Sequence, residues 1–152
     1  MVICSRVTYK LLSLFIFLTM VSCGKDEDII LSEVPRLEFN SLSPTTIQEF
    51  DGPITFNIKY EDGDGDLGEN SPNVNNLYLK DNRNDIMYEY RLQQLAPDGA
   101  SIPIKGTFDV VLNNTAITDG SSEQSATFDI FVVDRSGNKS NTITSTPLNV
   151  YR

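Results

Sequence analysis

The stretch "ITFNIKYEDGDGDLG", Ile54 to Gly68, decides how this chain is read. Its first half alternates strictly. Ile54, Phe56, Ile58 and Tyr60 share one face of an extended chain, and Thr55, Asn57 and Lys59 share the other. A period of two predicts a β-strand with one buried face. Continued past Tyr60, the even count arrives at Asp62, Asp64 and Asp66. The pattern therefore predicts a strand whose core face runs straight into three carboxylates.

Other runs repeat the scheme. "SATFDIFVVD" sets Ala126, Phe128, Ile130 and Val132 on one face and then meets Asp134, while "GTFDVVLNN" offers Phe108, Val110 and Leu112. "NLYLK" and "DIMYEYRL" form a pair of strands joined by the turn "DNRND", with Tyr88 and Tyr90 sharing core parity with Ile86 and Leu92. "RLEFNSL" supplies a first strand and "NTITSTPLNVY" a last one, in which Pro147 argues for an edge or a bulge. Seven short strands separated by Gly, Asn, Asp and Pro turns, with no helical period and no internal repeat, predict a single antiparallel β-sandwich over residues 35–152. The ending "FVVDRSGNKSNTIT" resembles the F–G hairpin of bacterial immunoglobulin-like domains, which implies an Ig-like sandwich. The chain has no tryptophan and so lacks the Cys-Trp-Cys set of antibody domains. That leaves fibronectin-III-like and cadherin-like sandwiches open as subclasses.

In an Ig-like topology the B–C and F–G loops lie at one end, so the resemblance implies that Asp62, Asp64, Asp66 and Asp134 converge at a pole. Calcium takes six to eight oxygen ligands, and such a carboxylate set suits it. "DGDGDLG" also resembles the calcium-binding Asp-rich linkers of extracellular β-domains. It is not an EF-hand loop. Counted from Asp62, Leu67 stands where that loop needs glycine and Asn73 where it needs glutamate. A plain solvated turn remains the competing reading, because Asp and Gly are ordinary turn residues. Two unit charges about 7 Å apart in water repel by only about 0.6 kcal/mol, so exposed aspartates coexist without metal.

The N-terminus is of another kind. Arg6 and Lys10 precede an apolar run from Leu11 to Val21, too short for a bilayer span of about 20 residues and of the length of a signal-peptide core. "MVSC", Met20 to Cys23, resembles the lipobox of bacterial lipoproteins, with Met20 where leucine is usual. The resemblance implies cleavage of a signal peptide at 1–22, lipid attachment at Cys23 and a membrane anchor. Lys25-Asp26-Glu27-Asp28 resembles the acidic export tag of Bacteroidetes-type surface lipoproteins, which implies the outer membrane, facing outward. The same residues also suit a charged tether over 23–34. With Cys4 removed, Cys23 is the only remaining cysteine, and no internal disulfide is expected.

Loss of residues 1–22 removes Arg6 and Lys10 but no acidic residue, taking the net charge from −9 to −11. A chain this acidic, with no Lys/Arg stripe, disfavours nucleic acid and favours cations or cationic partners. Catalysis has little to stand on. Histidine is absent, which removes the commonest general base, and no G-x-S-x-G elbow occurs. Tyr78, Phe131 and Val133 fall on the outward parity of their strands and form a candidate patch for a glycan or protein. Two function classes follow. One is a non-catalytic surface binding or adhesion module, calcium-stabilised and accessory to glycan capture. The other is a structural envelope lipoprotein with no soluble ligand.

Overall fold

The computed structural model describes residues 31–152. The expected signal segment 1–22, Cys23 and the acidic run Lys25–Asp28 lie outside the described residues. Ten strand segments follow in order: β1 (Arg36–Ser43), β2 (Thr46–Gln48), β3 (Ile54–Asp62), β4 (Leu77–Asp81), β5 (Met87–Tyr90), β6 (Ile104–Leu112), β7 (Glu123–Ala126), β8 (Phe128–Val132), β9 (Ile143–Thr144) and β10 (Leu148–Tyr151). There is no helix among the described residues. The strands form sheets of order β1–β3–β6, β5–β4–β8–β9 and β2–β10–β7.

Each of the seven expected runs carries a strand, and the larger number has local causes. Two runs are interrupted, at Thr127 and across Ser145–Pro147, so each gives two segments. Pro147 has no N–H to donate and sits in the second break. A side chain in that break bonds the neighbouring strand, the Phe128 amide donating to Ser145 Oγ at 3.0 Å, and ahead of β9 the Val132 amide donates to Ser140 Oγ at 3.1 Å. The short β2 was not foreseen, and it makes one pairing parallel, with β10, where all were expected antiparallel.

The alternation drives the packing. On β3 the residues Ile54, Phe56 and Ile58 are fully buried, as are Ala126, Phe128, Ile130 and Val132 across β7 and β8. These faces meet in one core, where the Phe56 and Phe128 rings stand edge to face with centroids 5.1 Å apart. A bulge between Phe39 and Ser41 shifts the parity of β1, so Leu37 and Leu42 both point inward. Tyr88 and Tyr90 pack against the core as expected, but Ile86 is 48 % exposed because it lies in the turn before β5 begins.

The β4–β5 turn carries a feature the alternation only half reveals. Asp81 continues the core face of β4 and is buried. Arg83 meets it with Nη2 to Oδ2 at 2.6 Å, and the guanidinium also donates to the Ala116 carbonyl, Thr115 Oγ1 and Gln124 Oε1. A buried carboxylate stripped of its partner is strongly disfavoured. Arg83→Met is expected to lower unfolding stability by about 3–5 kcal/mol in denaturant titration, and Asp81→Asn in the same chain to restore a measurable part of it.

Candidate metal centre

The end of β3 turns the core face into a polar loop. Asp62 is the last strand residue and is fully buried, as the parity requires. Beyond it the chain leaves the extended state. Gly65 and Gly68 take φ values of +76° and +93°, which side-chain-bearing residues rarely adopt, and Leu67 folds back into the core. The Leu67 amide donates to Asp62 Oδ2 at 2.9 Å. These turns do not scatter the carboxylates. Asp62, Asp64 and Asp66 each place an oxygen within 4.8 Å of the other two.

The hydrogen bonds around the three are incomplete. Asp66 Oδ2 accepts from the Ser136 amide at 3.0 Å, yet Oδ1 of Asp62, of Asp64 and of Asp66 is buried and has no donor. None of the ion pairs among the described residues involves these carboxylates. The carboxylates lie closer together than the solvated turn assumed, and Asp62 is more buried. At about 5 Å and an effective dielectric near 20, each like-charged pair repels by about 3 kcal/mol. Burial accordingly pushes the Asp62 carboxyl up from 3.8 to about 6, with Asp64, Asp66 and Asp134 adding to the rise.

Asp134 reaches the same pole but a different arrangement. It is buried at the end of the β8 face, and Asp66 and Asp64 lie near enough to raise its pKa further after burial has done so. It stands outside the triad, however. Its two oxygens accept from the Asn138 amide at 2.7 Å and from Asn138 Nδ2 at 3.0 Å, closing the turn in which Gly137 has φ +88°. Of the four expected ligands, three come together and the fourth braces the neighbouring hairpin.

That hairpin supplies a residue sequence reasoning missed. Arg135 donates from Nη1 to the Gly68 carbonyl at 3.0 Å and from Nη2 to the Gly65 carbonyl at 3.4 Å, and its backbone amide donates to the Asp66 carbonyl. It clasps the acidic loop by its backbone and leaves the carboxylates bare. A cation directly after Asp134 in a hairpin bound for the acidic pole was the available signal.

The expected surface patch is partly self-satisfied. The Tyr78 and Phe131 rings stack on adjacent strands with centroids 4.8 Å apart and planes 15° apart, and Lys139 Nζ lies 3.7 Å from the Phe131 centroid. Tyr78 and Val133 border a small recess with Glu69, Asn75 and Arg135. No family model, curated protein or solved structure matches the chain. The site is therefore read from its own geometry.

The raised Asp62 value fixes the sign of a pH effect in metal-free protein. Between about 3.8 and 6 the folded state holds a proton that the unfolded state releases. The stability this brings is complete below about pH 3.8 and is lost as pH rises through 6. Metal-free wild type is expected to lose on the order of 2–3 kcal/mol more than Asp62→Asn between pH 4 and pH 7.5. Parallel denaturant titrations of the two proteins check it.

Proposed function

We propose that this chain is a non-catalytic, lipid-anchored surface module whose acidic pole holds a calcium ion that stabilises it. The observation that carries the reading is Asp62, fully buried, with one carboxylate oxygen lacking any donor, in a cluster with Asp64 and Asp66 that each also hold a buried oxygen without a donor. A cation supplies the missing partner for all three. The donor set favours a hard ion. Every candidate ligand is oxygen, the chain has no histidine, and its two cysteines lie far off in sequence at 4 and 23.

The architecture we favour is an Ig-like sandwich. Sheet orders β1–β3–β6 and β5–β4–β8–β9, with the last strand also pairing in parallel to a short early one, support it. So does the position of the 62–68 and 134–139 loops at one pole, joined through Arg135. The lipobox-like "MVSC" and the following acidic run support cleavage before Cys23, lipidation there and display on the outer membrane. Within this reading the outward face of β4 and β8, at Tyr78, Phe131 and Val133, meets a glycan or an envelope protein. A purely structural envelope role is the second reading, favoured by Phe131 being already sandwiched between Tyr78 and Lys139. A glycan screen of wild type and Tyr78→Ala, together with co-purification from envelopes, separates the two. Sugar binding lost in the variant favours the first, and a stable envelope partner without sugar binding favours the second.

Calcium binding has its own test. Extracellular calcium modules bind at about 0.1–1 mM, and tenfold excess over such a Kd stabilises by about 1.4 kcal/mol, a few degrees in Tm for a domain of this size. Wild type is expected to melt that much higher in millimolar calcium than in EDTA. Asp64→Asn is expected to cross over: above wild type in EDTA, because one repelling charge is gone, and unresponsive to calcium. No shift in wild type at several millimolar calcium would remove the ion from this account.

A further inference from the structure

The acidic loop touches one segment whose position matters for an anchored protein. The Gly63 amide, between Asp62 and Asp64, donates to the Ser32 carbonyl at 2.8 Å. A Cβ built at Gly63 would lie 2.6 Å from Ser32 O and 2.7 Å from Ser32 C, and it would overlap the Leu31 carbonyl as well. Residues 31 and 32 thus lie directly against the loop at a position where no side chain intervenes. Below them, β1 pairs with β3 from the Arg36–Glu61 register onward, and Pro35 is buried. The Ser32–Gly63 bond therefore holds the N-terminal segment beyond the end of the β1–β3 ladder, on the loop that carries the carboxylates.

This contact and the carboxylate triad share one backbone. Gly63 cannot keep its place if Asp62 and Asp64 swing apart under mutual repulsion, and a cation joining them fixes the peptide units between them. Resting on the cation reading above, we infer that occupancy of the Asp62–Asp64–Asp66 site fastens the N-terminal segment to the domain and that its loss releases that segment. For a chain anchored at Cys23 the consequence is mechanical. Eight residues from Cys23 to Leu31 reach at most about 28 Å, so the cation-bearing pole stays near the membrane. With the ion bound, the segment is held to the domain at Ser32; without it, the point where the chain leaves the domain moves inward toward β1 and the domain's orientation to the membrane loosens.

Hydrogen exchange on the full chain in detergent, in millimolar calcium and in EDTA, reads the contact directly through the Gly63 amide. Calcium titration by calorimetry runs in parallel. Calcium is expected to slow exchange at Gly63 by about tenfold in wild type and to leave Asp64→Asn unchanged. Coupling is reciprocal, so Gly63→Ala, which keeps all three carboxylates but displaces residues 31 and 32, is expected to bind calcium about tenfold more weakly. Gly63 lies outside the left-handed region, so alanine there perturbs the close approach rather than the backbone conformation. If wild type binds calcium while Gly63 exchange is unaffected, the fastening is wrong and the cation reading stands. If wild type binds no calcium, both fall. Should Gly63→Ala fail to fold, the wild-type and Asp64→Asn exchange comparison decides alone.

Discussion

A carboxylate carried on the core face of a β-strand leaves water as the strand enters the core, and it must find donors or an opposite charge. That constraint acts three times among the described residues. The buried faces of β3, β4 and β8 run on into Asp62, Asp81 and Asp134, all buried. Asp81 is met by the Arg83 guanidinium and Asp134 by two nitrogens of Asn138. Asp62 has a single amide donor, from Leu67, its other oxygen has none, and its carboxylate clusters with those of Asp64 and Asp66. Two of the three are closed by protein, and the third keeps an oxygen without a donor. The contrast is the strongest internal argument for the site, because the same chain shows how it satisfies a buried aspartate when no ion is wanted.

The remaining features of that pole follow from the same need. Positive-φ glycines at 65 and 68 let the loop curl so that its carboxylates face one another, and Arg135 grips the loop by its carbonyls. An arginine paired to the carboxylates would have neutralised them. One bonded to the backbone shapes the loop and leaves their charge in place. The N-terminal segment lies against the same loop, where the Gly63 amide donates to the Ser32 carbonyl.

Much of this was legible in the sequence. Strict alternation on β3, β6 and β7–β8 placed the core, and its extension by two residues placed Asp62 and Asp134 inward. Parity is a local rule, and it holds wherever the backbone stays extended. It failed where the backbone does not: at the bulge between Phe39 and Ser41, at Ile86 in its turn, and in the splitting of the last two runs. Beyond Asp62 the extrapolated parity had no physical basis, since Gly65 and Gly68 leave the β region, yet the curled loop still gathers Asp64 and Asp66. Contacts between distant loops were out of reach. Arg83 with Thr115 and Gln124, Arg135 with Gly65 and Gly68, and Ser32 with Gly63 all depend on which ends of the strands share a pole.

The central claim is that a cation sits among three specific oxygens, and a crystal structure grown in millimolar calcium with anomalous data tests it most directly. The account predicts an anomalous peak about 2.3–2.6 Å from Oδ1 of Asp62, Asp64 and Asp66. A well-ordered loop in the same conditions with water, or a protein side chain, at that position would contradict it.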